Sequence, residues 1–314
     1  IEAAKAAKLE AANARINTFE AVAREWHSVC ARKWKPHHAG TVLRRMETHL
    51  FPILGDRPVG ELKTRDLLVP LKAAEKRDTL ETAGRLRQYM TGILRMAVQH
   101  DLIESNPAAD LQGATATRKS VHRPALPFER LPDLLARLDA YSGRQLTRLA
   151  VQLTMLVFIR SSELRFARWD EIDFKRALWT IPGERQAIEG VKHSTRGAKM
   201  ATPHLVPLSR QALALLEEAH AITGRFELIF PNDHAHWKPM SENTVNAALR
   251  RMGYDTKTEV CGHGFRATAC SALTESHLWS KDAVERQMSH QERNQVRGAY
   301  THLTEHIQER RLMV

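Results

Sequence analysis

Cysteine is scarce in this chain: three in 314 residues, at Cys30, Cys261 and Cys270. They are far apart and odd in number, which argues against a disulfide framework and fits the reducing cytoplasm. Aromatic residues make up 6%, and tyrosine occurs only at Tyr89, Tyr141, Tyr254 and Tyr300. No apolar run approaches the ~20 residues of a spanning helix, and no secretory leader is visible, so a membrane role is not expected. HExxH and CxxC patterns are absent. The tightest histidine pairs, His234/His236 and His302/His306, lack a convincing third ligand, so no metal and no cofactor is expected.

What the chain does have is positive charge: 47 Lys plus Arg against 36 Asp plus Glu, a net +11. This points toward a polyanion, most naturally nucleic acid. Hydrophobic residues at 43% and charged residues at 26% are ordinary for a folded protein and exclude wholesale disorder. The length suits about two domains. Residues 1–123 carry 21 basic and 14 acidic side chains, whereas 124–314 carry 26 and 22. Between the halves, Gly113-Ala-Thr-Ala-Thr-Arg-Lys-Ser-Val-His-Arg123 is small, polar and basic, and reads as a linker. The start at Ile1, inside a helical Ala/Lys/Glu pattern, suggests a fragment whose natural beginning lies upstream.

The first half reads as all-helical. Leu86, Tyr89, Met90, Ile93, Leu94 and Ala97 recur on one face of a helix. Phe19, Val22, Ala23 and Trp26 mark a second, and Val42, Leu43, Met46 and Leu50 a third, ended by Pro52 and Gly55. The second half is mixed. Leu146, Leu149, Ala150, Leu153, Leu156 and Val157 form a strong helical stripe. Trp169–Phe174, Ala177–Ile181 and His204–Leu208 read as short strands. Helical patterns resume at Gln211–Ile222, Glu242–Met252, Arg266–His277 and Asp282–Met288. Trp169, Trp179, Trp237 and Trp279 read as packing residues, and Cys261 as a small packed side chain rather than a nucleophile paired with His263.

His263-Gly264-Phe265-Arg266 places an imidazole and a guanidinium on one helical turn, with Gly264 allowing close backbone approach. An imidazole moves protons near neutral pH, and an arginine grips phosphate with two parallel hydrogen bonds. Upstream, the apolar helix ends in Phe158-Ile-Arg160-Ser-Ser-Glu163, an arginine with a carboxylate close by to hold it. Downstream lie Met288-Ser-His290 and Gly298-Ala-Tyr300, the latter a tyrosine in polar surroundings.

Taken in order, Arg160, a lysine in the strand region, His263-Gly-Phe-Arg266, His290 and Tyr300 resemble the tyrosine recombinases. The similarity is greatest to the integrases of satellite phages and genomic islands. It extends through Ala177-Leu-Trp-Thr-Ile-Pro182, His204-Leu-Val-Pro-Leu-Ser209, Pro239-Met-Ser-Glu-Asn-Thr244 and Val284-Glu-Arg-Gln-Met-Ser-His-Gln-Glu-Arg-Asn294. Leu50-Phe-Pro-Ile-Leu-Gly55 and Asn106-Pro107 look like the family's core-binding domain. Departures fall at Ile159 and Ser162, where the family usually has glycine, and at Ser289, often glycine or alanine. The stretch from Arg185 to Lys199 is also longer than usual.

The resemblance implies a mainly α chain with a small β-sheet. A helical core-binding domain at 1–112, a linker at 113–123 and an α+β catalytic domain at 124–314 would form a C-shaped clamp on duplex DNA. It implies that Arg160 and Arg266 bracket the scissile phosphate and that Tyr300 attacks it to give a 3′-phosphotyrosine. His263 would assist proton transfer, His290 would donate a hydrogen bond to the phosphate, and a lysine would protonate the leaving 5′-oxygen. Lys199 is favoured for that lysine, because Lys199-Met200 before Pro203-His204 keeps the family's register. Lys192 reads as a loop tip but stays open. The expected partners are double-stranded attachment-site DNA, further copies of the chain in a tetramer, and accessory DNA-bending or excisionase proteins. A nicking-closing topoisomerase and a catalytically silent DNA-binding protein are the alternatives. In the family the segment after the tyrosine often docks on a neighbouring protomer.

Overall fold

The computed structural model describes residues 17–116, 122–198, 202–290 and 304–314. The chain divides into two compact units, residues 1–121 and 122–314. Among the described residues no helix is long and apolar enough to cross a membrane.

The first unit is helical. Helix α1 (Phe19–Ala31) starts where the Thr18 hydroxyl accepts a hydrogen bond from the Ala21 amide, at 3.3 Å. Helix α2 (Pro36–His49) begins on a proline, whose missing N–H costs nothing in a first turn. Helix α2 ends ahead of Pro52 as expected, yet Pro52 does not end the helical path. It lies in the first turn of a short helix α3 (Phe51–Leu54), where proline is tolerated for the same reason. Helices α4 (Thr64–Lys76) and α5 (Leu80–Gln99) follow. The expected stripe of α5, Leu86 through Ala97, is buried against Phe19, Met46, Leu50, Leu67 and Leu71 in one core.

The second unit has its own core around α7 (Gln145–Val157), whose Leu146, Leu149, Ala150, Leu153 and Val157 are buried. Helix α6 (Leu131–Asp139) precedes it and α8 (Ser161–Arg165) follows. A three-stranded antiparallel sheet comes next, in the order β1 (Ile172–Asp173), β2 (Leu178–Ile181), β3 (His204–Pro207). Its register pairs Ile172 with Trp179 and Ile181 with His204. Half of the first expected strand, Trp169–Glu171, is thus a single 3-10 turn, and only Ile172–Asp173 is strand. Glu171 there turns its carboxylate inward to accept from the indole N–H of Trp179, at 2.9 Å.

Among the described residues, helices α9 (Arg210–Thr223), α10 (Thr244–Arg251), α11 (Gly264–Glu275), α12 (Lys281–Gln287) and α13 (Ile307–Met313) follow. Ser209 and Ser280 cap α9 and α12 through hydroxyls that accept from the third amide onward. Helix α13 packs against α12 and β3 of its own chain. Arg310 is wholly buried there: it donates to Gln287 Oε1 at 2.9 Å, to the Glu305 carbonyl at 3.1 Å and to the Leu205 carbonyl. The segment expected on a neighbouring protomer therefore lies on its own chain in this structure.

Candidate functional site

Phe158, at the end of α7, takes up a left-handed conformation with φ 56°. That stops the helix and sends Ile159 into the core, leaving Arg160 extended just before α8. Glu163, on the first turn of α8, is 1% exposed. Its carboxylate accepts the Arg160 backbone N–H at 2.7 Å and the Arg160 Nη1 at 2.9 Å. One buried carboxylate therefore both caps the helix and aims the guanidinium.

Arg266 arrives from the opposite side, on the first turn of α11. Gly264 opens this helix, and a Cβ there would overlap the Pro124 carbonyl. Glycine is thus required by the close backbone approach that the sequence pattern suggested. The same strand of chain, 124–126, is tied to α11 by Thr268 Oγ1 donating to the Leu126 carbonyl at 2.7 Å. With its helix so placed, Arg266 donates to the Met288 carbonyl at 2.6 Å and to the Phe158 carbonyl. Arg160 Nη2 reaches the Ser289 carbonyl at 3.0 Å and the Met288 carbonyl at 3.5 Å. Both arginines thus converge on the turn after α12. Ser289 in that turn has φ 52°, a left-handed conformation that glycine adopts at least cost.

Electrostatics follow from this crowding. Burial, and then repulsion from Arg160, lower the Arg266 pKa to about 10, so it remains a cation at neutral pH. His204, at the start of β3, is buried among the same charges. Burial first, then Arg310, Arg160, Arg286 and Arg266, lower its pKa to about 3, so its imidazole is neutral. His204 was not singled out in the sequence. There it serves only as part of a family-like strand segment and as a register mark for Lys199.

His263 is exposed at the N-cap position of α11. His290 follows α12 and is about half exposed, its Nδ1 2.7 Å from Glu285 Oε2. Arg160, Arg266 and the turn leading to His290 are therefore brought together. Lys199 and Tyr300 lie outside the described residues. Lys192 is exposed in a turn of the long connection between β2 and β3. Cys261 is buried with its Sγ toward the Pro124 carbonyl, at 3.6 Å, and Trp179 is wholly buried, whereas Trp237 is exposed. His236 stacks on Phe226 with ring centroids 4.2 Å apart.

Residues 125–306 match the sequence profile described as "Phage integrase family", and residues 19–114 that described as "Phage integrase central domain". The chain is 60% identical over 307 residues to the protein IntB of Escherichia coli (strain K12), covering 98% of this chain and 77% of that one. It is 56% identical over 304 residues to the integrase of Enterobacteria phage P4, covering 97% and 69%. Its fold is similar to that of lambda integrase, solved as a tetramer bound to a Holliday junction. There the TM-score is 0.67 at 17% identity, over 92% of this chain and 81% of that one.

Proposed function

The chain belongs to the phage integrase family, and from that premise we propose that Arg160 and Arg266 grip one scissile phosphate of duplex DNA while Tyr300 attacks it. As a member it is a tyrosine-type site-specific recombinase, an enzyme of DNA cleavage and rejoining. The observation that carries the residue assignment is the convergence of both guanidiniums on the Met288 carbonyl, with the Glu163 carboxylate bonded to Arg160. Two cations and one anion leave a net positive charge, which a phosphate would balance.

A phosphodiester resists attack because its charge repels nucleophiles, so the protein's work is positioning and charge stabilisation. Tyr300 Oη bonds to phosphorus, and its proton passes toward His263. The bond from phosphorus to O5′ breaks, and O5′ takes a proton from Lys199 Nζ and leaves as a 5′-hydroxyl. His290 donates to a nonbridging oxygen, with Glu285 on its other ring nitrogen. The resulting 3′-phosphotyrosine keeps the energy of the broken bond, so a 5′-hydroxyl from the partner duplex reseals the strand without a nucleoside triphosphate.

In this reading the helical unit and the basic stretch 113–123 hold the DNA backbone. Four copies assemble on paired attachment sites in the bacterial cytoplasm, on nucleoid DNA, to integrate or excise a mobile element. Accessory DNA-bending or excisionase proteins choose the direction. The test is trapping on a nicked suicide duplex. The wild-type chain forms a covalent adduct mapped to Tyr300, and Tyr300→Phe binds DNA without forming it. An adduct that survives Tyr300→Phe overturns the nucleophile. Relaxation of supercoiled DNA with no exchange between sites favours a nicking-closing enzyme instead.

A further inference from the structure

The connection from β2 to β3 runs over residues 182–203, and one buried side chain organises the part next to the arginine site. Arg185 is 5% exposed. Its Nε and Nη2 grip the two oxygens of Glu171 at 2.5 and 2.8 Å, a bidentate pair. Glu171 is itself fixed by the Trp179 indole of β2. The remaining Arg185 donors go to main chain: Nη1 to the Arg196 carbonyl at 2.7 Å, and Nη2 to the Glu163 carbonyl at 3.3 Å.

These contacts join two places that matter to the reaction. Glu163 is the residue whose carboxylate aims Arg160. Arg196 lies near the far end of the connection. The two limbs are zipped by a bridge between Glu184 and Arg196, by the Arg185 amide donating to the Thr195 carbonyl at 3.0 Å, and by the Ala198 amide donating to the Pro182 carbonyl at 2.8 Å. A Cβ on Gly197 would overlap that Pro182 carbonyl, so the zip closes only on glycine. Arg168 adds a second anchor, donating to the Gln186 carbonyl at 2.6 Å. The path Arg160, Glu163, Arg185, Arg196, Ala198 is thus continuous, and the next residue in the chain is Lys199.

We propose that Arg185 is a positioning residue for proton donation: it fixes the exit of the β2–β3 connection against the Arg160 anchor and so sets where the leaving-group lysine enters. This rests on the reading of Lys199 as that lysine. The fork of a guanidinium is needed, because only it can hold a carboxylate with two bonds and reach two carbonyls at once. A lysine at 185 keeps the charge and loses the register.

The test compares two nicked suicide duplexes bearing the attachment site, one with the ordinary scissile phosphodiester and one with sulfur in place of the 5′-bridging oxygen. A thiolate leaves without needing a proton, so a fault in proton donation disappears on the sulfur substrate. Arg185→Lys is expected to cleave the ordinary duplex on the order of 10²-fold more slowly and the sulfur duplex at the rate of the unsubstituted protein. The ratio of the two rates does not depend on how much protein is folded, and the milder Glu171→Gln shifts it in the same direction. An equal loss on both duplexes, with Lys199→Ala rescued by sulfur, overturns the role of Arg185 and leaves the lysine assignment standing. If Lys199→Ala is equally slow on both duplexes, the lysine assignment falls and the positioning role falls with it.

Discussion

Glu163→Gln removes the single negative charge that the arginine pair is built around. The carboxylate gives one oxygen to the Arg160 amide and the other to Nη1, at 2.7 and 2.9 Å, in a place 1% exposed. An amide has one oxygen to offer. The substitution keeps the shape, loses one of the two bonds and sets an N–H against a donor it cannot accept from. A hydrogen bond to a charged group contributes about 1.5–3 kcal/mol, and a stranded buried donor costs a similar amount. With partial relaxation the expected loss of stability is ~3 kcal/mol, read as a shift of the urea midpoint at unchanged slope. Arg160 would then hang from the Ser289 and weaker Met288 carbonyl bonds alone. Adduct formation on the nicked duplex should fall on the order of 10²-fold. DNA affinity should hardly change, because it is summed over many phosphate contacts. A variant with an unmoved urea midpoint and wild-type adduct rate would refute the claim that Glu163 aims Arg160.

Two further outcomes follow from the same geometry. His204 titrates at about 3 when folded and near 6.5 as a free group. The unfolded chain therefore binds a proton between those values that the folded chain does not, and stability must fall as pH drops through that window. At pH 5 this one group should cost ~2 kcal/mol. His204→Gln should flatten that part of the profile in thermal melts, and equal slopes would show that His204 is not the group responsible. Gly264→Ala would ordinarily favour a helix, but its Cβ meets the Pro124 carbonyl. Overpacking should win, with a loss of about 1–3 kcal/mol and slower adduct formation, because Arg266 stands two residues on. A stabilised Gly264→Ala with full activity would mean that the 124–126 segment yields freely.

Much of the fold is visible in the one-dimensional pattern because it depends on local periodicity. The stripes of α5 and α7 are six residues of helical spacing each, and burial followed that spacing, with only Leu156 left partly exposed. Elements governed by few residues were harder to read. Pro52 looked like a stop because its ring blocks a helix interior, yet a new helix could begin around it. Trp169–Phe174 looked like a strand from its apolar content, but Glu171 was drawn inward by a tryptophan and an arginine from elsewhere. Arg185 itself carries no signal in the sequence, since its meaning lies in partners 11 to 22 residues away.

The sequence by itself determined the two-part organisation, the helical character of both units, the family, and the residue types that phosphoryl transfer needs. Those follow from composition, spacing and motifs, which are properties of neighbours along the chain. Only the tertiary structure decided how Arg160 and Arg266, 106 positions apart in the chain, come to share the Met288 carbonyl. It alone decided that Glu163 is buried against Arg160, that His204 is neutral among arginines, and that α13 lies on its own chain. Hydrogen bonds and charges act through space over a few ångströms, so which groups meet depends on packing that no local pattern records.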